Sequence, residues 1–245
     1  MSQKAISLKN VFKQYGEFVA VRDLTLEVSF GEIFGFVGPN GAGKTTTIRM
    51  LTGLAFPTSG ELEIAGLQYK NNDLEIKRSM GYLPDRPYLY DKLTGREYLE
   101  FIQGVFSTNG GAQKIDQYLT LFDLSNWASE LVESYSHGMK QRLAFAGALL
   151  HDPRLLVIDE PMVGLDPKGV RLIKDLFRNL ASENVAIFVS THNLAMAEQV
   201  CHRIGIIHEG QLLACNNIEG LQRQAALPES GLEEIFLRLT TEEVK

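Results

Sequence analysis

Gly38-Pro39-Asn40-Gly41-Ala42-Gly43-Lys44-Thr45-Thr46 is the stretch around which this chain is organised. It fits the phosphate-binding pattern G-x-x-x-x-G-K-[ST], with Gly38, Gly43, Lys44 and Thr45 at the fixed positions. Glycines allow a tight turn and bring backbone N–H groups onto a phosphate with no Cβ in the way. The run that follows, Thr45-Thr46-Thr47-Ile48-Arg49-Met50-Leu51, reads as a helix whose positive end faces the same anion. Lys44 can bring a full charge toward the β- and γ-phosphates of a nucleotide, and the Thr45 hydroxyl can ligate Mg²⁺. Just before the loop, Ile33-Phe34-Gly35-Phe36-Val37 is a short apolar run that predicts a buried parallel strand. Strand, glycine loop and helix therefore occur in the required order.

The rest of the chain bounds what such a site can serve. With 245 residues there is room for one large α/β domain, or a domain plus a subdomain, with ample core. Hydrophobic content of 44% and charged content of 22% are ordinary for a globular protein. No apolar run approaches the ~18 residues of a membrane helix. Met1-Ser2-Gln3-Lys4 lacks a signal-peptide core, so a protein of the compartment where it is made is expected. Twenty-four basic against 30 acidic residues leave a formal charge of −6 with no basic cluster, which argues against a nucleic-acid-binding surface. Cys201 and Cys215 are too few and too scattered for a disulfide framework or a metal knuckle, and reduced side chains are expected.

Upstream of the loop, Ile6, Leu8 and Val11, then Leu24, Leu26 and Val28, alternate with polar residues and predict half-buried antiparallel strands. Phe12-Lys13-Gln14-Tyr15-Gly16 is expected as a loop between them, with Tyr15 either stacked on a nucleotide base or buried in the core. Downstream, Pro57-Thr58-Ser59-Gly60 is a turn before the strand Glu61-Leu62-Glu63-Ile64. A short helix over 73–80 and a strand ending at Pro84 follow. From 94 to 150 the spacing turns helical, with one apolar stripe at Tyr98, Phe101, Ile102 and Val105. A second stripe runs through Ile115, Tyr118, Leu119 and Phe122, and Ser107-Thr108-Asn109-Gly110-Gly111 connects the two. This region is expected to be a helical insertion. Leu155-Leu156-Val157-Ile158-Asp159-Glu160 and Val185-Ala186-Ile187-Phe188-Val189 are then two buried strands, separated by an amphipathic helix over 170–180. A closing hairpin turns at Glu209-Gly210.

Lys44, Thr45, Asp159 and His192 all fall at or just past carboxyl ends of expected strands, the edge where open α/β sheets hold ligands. Asp159 suits the Mg²⁺ side, directly or through water, and Glu160 suits the base for an attacking water. His192 either hydrogen-bonds a γ-phosphate oxygen or satisfies a core hydrogen bond. Buried acids can equally form structural ion pairs. One stretch has no place in a single-chain site. Ser136 is positioned as the N-cap of a helix through Gly138-Met139-Lys140-Gln141-Arg142, a second helix start suited to an anion or simply a capped helix.

In this order the pieces resemble the ATP-binding cassette ATPases over nearly the whole chain. Residues 38–46 match the Walker A motif and 155–160 Walker B. The signature L-S-G-G-Q is represented by Tyr135-Ser136-His137-Gly138-Met139, the D-loop by Gly164-Leu165-Asp166, the switch histidine by His192 and the adenine-stacking aromatic by Tyr15. The sequence departs at Tyr135, His137 and Met139, and at Asp85 where the Q-loop glutamine belongs. Those variants, Leu83-Pro84-Asp85 and the terminal Leu232-Glu233-Glu234-Ile235-Phe236-Leu237, are similar to the ATPase subunits of type-two exporters.

The resemblance implies a P-loop NTPase α/β core with an amino-terminal antiparallel β-subdomain. It also implies an inserted helical subdomain at about 86–150 and a carboxy-terminal hairpin and helix at about 203–245. It implies ATP bound by Tyr15, Gly38, Pro39, Asn40, Gly41, Ala42, Gly43, Lys44, Thr45 and Thr46, and Mg²⁺ held by Thr45, Asp159 and Asp85. Glu160, His192 and Lys44 would be catalytic. Ser136 and Gly138 would cap the ATP of a second copy in a head-to-tail homodimer, or in a dimer with a second ATPase subunit. Separate transmembrane permease subunits would dock near Pro87-Tyr88-Leu89-Tyr90 and hold the protein on the inner face of the cell membrane. A soluble cassette ATPase acting on nucleic acid or ribosomes is the competing reading. The long coiled coil or the tandem cassettes of such proteins are missing from this sequence. An ATP-binding scaffold without turnover is a third, disfavoured by Lys44 and Glu160.

Overall fold

The computed structural model describes residues 4–107 and 110–241. Thr108 and Asn109 of the expected connector lie outside the described residues. The chain opens with an antiparallel pair, β1 (Lys4–Tyr15) and β2 (Phe18–Ser29). Their inward positions, Ile6, Leu8 and Val11 with Val21, Leu24, Leu26 and Val28, are fully or nearly fully buried. The spacing from Leu8 to Val11 breaks the two-residue period. A register shift between Leu8 and Val11, with Asn10 at φ 50° and bonded to Asp23 at 2.7 Å, returns Val11 to the core side. One sequence expectation is corrected here. Phe12, Lys13, Gln14 and Tyr15 do not form a loop but extend β1, pairing Gln14 with Val19 and Tyr15 with Phe18, and the turn is reduced to Gly16 and Glu17.

After β3 (Ile33–Val37) comes α1 (Lys44–Leu51), then β4 (Ser59–Ile64), which pairs with the free edge of β1. Next come α2 (Tyr69–Ser79) and β5 (Met80–Leu83). The expected helical region contains α3 (Gly95–Phe106), α4 (Gly111–Leu121) and α5 (His137–Leu149). Between α4 and α5 lie two single-turn 3₁₀ stretches, Ser125–Trp127 and Val132–Ser134. Thr94 and Glu97 close a reciprocal capping box that fixes the start of α3. The α3 stripe is the second correction. Tyr98 and Leu99 face inward, whereas Phe101 and Val105 are 44% and 60% exposed. Helical spacing marked an apolar face wider than the interior side of the helix, and the Phe101 ring instead meets Tyr90 edge-on at 5.2 Å. On α4, Ile115 and Leu119, followed by Phe122, are buried as expected.

The chain then alternates β6 (Leu155–Asp159), α6 (Pro167–Ser182), β7 (Ala186–Thr191) and α7 (Leu194–Val200). It ends with β8 (Arg203–His208), β9 (Gln211–Asn216), α8 (Ile218–Gln224) and α9 (Leu232–Thr241). The main sheet runs β5-β6-β7-β3-β8-β9, parallel except for β9. Burial on both faces explains why β3, β6 and β7 read as apolar runs. Alternate residues still divide between two cores. Leu156, Ile158, Ile187 and Val189 pack with Phe145 of α5 and Phe177 of α6. Leu155, Val157, Phe188, Phe34 and Phe36 pack with Ile48 of α1 and the β1–β2 pair. Because β3, β6 and β7 lie side by side and parallel, their carboxyl ends form one edge. Among the described residues no helix is long and apolar enough to cross a membrane.

Candidate functional site

The phosphate loop sits on that edge, between β3 and α1, and is braced from outside its own motif. Gly210, at the β8–β9 turn, donates to Ala42 O at 2.9 Å and accepts from Arg22 N at 2.8 Å. A Cβ on buried Gly38 would lie 2.3 Å from Ile207 O and 2.9 Å from Ile207 Cγ2. The loop can therefore be made only if its first residue has no side chain. Replacing Gly38 with Ala is expected to destabilise the protein by about 3 kcal/mol, as forced overpacking against backbone does, and urea unfolding measures it. An unchanged midpoint would show that β8 is free to yield.

Lys44 is the first residue of α1, and its ammonium folds back over the loop, donating to Gly38 O at 2.7 Å and Pro39 O at 3.0 Å. Burial lowers its pKa from the ordinary lysine value, while the nearby charges of Glu160 and Asp159 oppose that shift. Thr45 is exposed and Thr46 half-buried at the start of the helix, and Thr47 returns its hydroxyl to Gly43 O at 3.0 Å.

Asp159 closes β6 and is 6% exposed. Burial pushes its pKa up from the ordinary aspartate value, a hydrogen bond with Ser190 opposes the shift, Glu160 and Asp85 add to it, and Lys44 opposes it more weakly. Asp85, in the loop after β5, is thus electrostatically part of the same cluster. The sign of the linkage is definite. A carboxyl whose folded pKa is raised favours the folded state in acid and loses that contribution as pH rises through the folded value. Asp159→Asn is therefore expected to raise the thermal midpoint of the nucleotide-free protein at pH 7. The gain should shrink on acidification toward the carboxylate range. A lower midpoint at pH 7 would mean the charge is already compensated.

Glu160 has the left-handed backbone, φ 53°, uncommon for a residue with a long side chain. The turn is held by Glu160 N donating to Ser190 O at 2.9 Å, and it swings the carboxylate toward the end of β7. There Oε1 accepts from His192 N at 2.9 Å and lies 2.7 Å from His192 Nδ1, while Oε2 accepts from the Thr191 hydroxyl at 2.9 Å. Sequence reasoning placed Glu160 and His192 on one edge but missed Thr191. The signal for it was its place beside the histidine at a strand end. The structure therefore gathers Lys44, Asp159, Glu160 and His192. A cation beside a buried acid and an anchored carboxylate can bind a polyphosphate and take a proton from water.

Tyr15 is 44% exposed, with Lys13 Nζ over its ring at 4.7 Å from the ring centre. Ser136 and Gly138 are placed elsewhere. The Ser136 hydroxyl caps α5 by accepting from Met139 N at 3.3 Å, and the residue is exposed. Gly138 packs on the loop after β6, where a Cβ would lie 3.0 Å from Gly164 O. Among the described residues neither makes a hydrogen bond to the phosphate loop of its own chain, and the neighbours of Gly138 are Gly164 and Leu165. Pro39, Asn40 and Gly41 are exposed at the loop tip.

A family model described as ABC transporter matches residues 21–163. The bacitracin transport ATP-binding protein BcrA of Bacillus licheniformis is 46% identical over 212 residues, spanning 85% of this chain and 68% of that protein. Among solved structures, an ATP binding subunit of an ABC transporter superposes with a TM-score of 0.91 at 31% identity, covering 96% of this chain and 99% of that one. The dimeric structure of MJ0796, a bacterial ABC transporter cassette, gives 0.78 at 28% identity over 88% of this chain and 99% of its own.

Proposed function

Because the chain belongs to the ATP-binding cassette transporter family and is an ATP-hydrolysing subunit of it, we propose that it powers an exporter by closing head to tail with a second copy on two ATP molecules. The observation that carries this proposal is the division of the site. The groups for binding and proton abstraction are gathered on one sheet edge, while a second, exposed helix start packs away from them.

In this proposal Tyr15 stacks on adenine, and the backbone of residues 38–46 with Lys44 holds the phosphates. Glu160 takes one proton from the water that attacks the γ-phosphorus as the bond to the β–γ bridging oxygen breaks, leaving ADP and inorganic phosphate. His192, held by Glu160, faces the γ-phosphate and keeps the carboxylate oriented. Ser136 and Gly138 of the partner copy close over the same phosphate.

The donor set fits Mg²⁺. Thr45 and Asp159 would hold the ion with Asp85 on the same side, and the carboxylates' mutual influence on Asp159 is what a divalent cation relieves. Among the described residues no group of three or more His, Cys, Asp or Glu is placed to hold a metal ion, so the remaining ligands of the ion would be phosphate and water. When bound it would neutralise charge on the phosphates.

Residues 86–150 are taken as the inserted body that moves on closure, and 203–245 as the carboxy-terminal hairpin and helix. A cavity of about 460 Å³ opens between this body and the sheet, lined by Leu83, Pro87, Tyr88, Tyr98, Ile102 and Phe106. Tyr88 is 86% exposed beside it, and Tyr88, Tyr90 and Phe101 form a chain of edge-on rings. An apolar groove rimmed by exposed aromatics suits a helix of a membrane-embedded permease, which would hold the ATPase at the cytoplasmic face. The relative named for bacitracin transport makes bacitracin the cargo to test first. Isolation of the native complex from membranes is expected to bring down an integral membrane protein. Recovery of the ATPase alone from the soluble fraction, at full activity, would contradict the permease assignment.

A further inference from the structure

Gln141, one turn into α5, is 1% exposed, and neither Oε1 nor Nε2 has a hydrogen-bond partner. A buried carboxamide left unpaired costs roughly 1–3 kcal/mol, so its presence requires a reason. It lines a cavity of about 480 Å³ together with Asp85 and Arg86 from the loop after β5, His137 and Lys140 from α5, and Val163 from the loop after β6. Lys140 is already engaged, 2.9 Å from Asp91. Asp85 and Arg86 make no hydrogen bond or ion pair among the described residues. An aspartate offers acceptors and an arginine donors, which are the complements of a carboxamide's N–H₂ and C=O.

We propose that Gln141 is a positioning residue for hydrolysis. When the helical body moves onto the nucleotide, the cavity closes, Gln141 Nε2 donates to the Asp85 carboxylate, and Gln141 Oε1 accepts from Arg86. The pair then fixes Asp85 beside Asp159. Asp85 already acts electrostatically on Asp159. The inference rests on the closing motion and on the metal-side role of Asp85 given above.

The resting protein stores an unpaired polar group that only the closed state satisfies. That makes an unusual prediction for Gln141→Met, which keeps the volume and removes the amide. The nucleotide-free thermal midpoint should stay level or rise. ATPase kcat should fall about tenfold, with KM for ATP within about twofold of the parent because residues 38–46 are untouched. A midpoint lowered by several degrees would show that the amide is paired in the resting protein and would overturn the inference. So would a kcat within twofold of the parent, or a loss confined to KM. The two levels separate cleanly. If Glu160→Gln fails to dimerise on ATP, the closing motion itself is wrong. If it dimerises while Gln141→Met turns over normally, only the role of Gln141 falls.

Discussion

Glu160→Gln is expected to reduce steady-state ATP hydrolysis by about 10²–10⁴-fold, the range a positioned general base contributes, while ATP still binds. The substitution preserves volume and asks nothing new of the backbone. The carbonyl of the new amide still accepts from Thr191 or His192, whose donors now hold Glu160 at 2.7–2.9 Å. Basicity is lost. So is a negative charge beside the position proposed for the γ-phosphate, which removes repulsion from the closed state. Hydrolysis should stop after binding, and the ATP-bound dimer should accumulate. Parental turnover in this variant would show that Glu160 is not the base.

Ser136→Asp is expected to separate two roles that Ser136→Ala would confuse. Serine caps α5 here, and aspartate caps a helix as well as serine does. The nucleotide-free protein should therefore keep its stability within about 0.5 kcal/mol. In the closed dimer the same side chain would place a carboxylate against the partner's ATP. Like charges so juxtaposed cost several kcal/mol, so ATP-driven dimerisation should weaken by at least about 10²-fold. Nucleotide binding to a single copy should be unaffected, since the Ser136 hydroxyl is engaged with Met139 N and not with residues 38–46 of its own chain. Retained dimerisation would confine Ser136 to capping.

Most of this site was legible in the sequence because its chemistry is local. The 38–46 loop, Asp159 and Glu160 sit in short runs whose spacing constrains both backbone and function. What was not legible depends on what a residue meets across the fold. Ile207 and Gly210 brace the loop from a hairpin far along the chain, and the local turn pattern at Gly210 says nothing of that contact. The Thr191 hydroxyl became relevant only once the positive φ of Glu160 turned the carboxylate toward β7. Phe12 to Tyr15, expected in a loop, were held in β1 by pairing with β2. Periodicity placed Phe101 and Val105 on an apolar face of α3, yet it says nothing of whether that face meets core or a groove. Gln141 gave no signal at all, because an unpaired amide is a property of packing.

The composite site is tested most directly by measuring the mass of Glu160→Gln in solution with and without ATP, alone and combined with Ser136→Asp. The expected result is a monomer without nucleotide, a doubling of mass with ATP, and no doubling in the double variant although it still binds ATP. A protein that stays monomeric with ATP bound, while the parent monomer hydrolyses at full rate, would contradict the shared site.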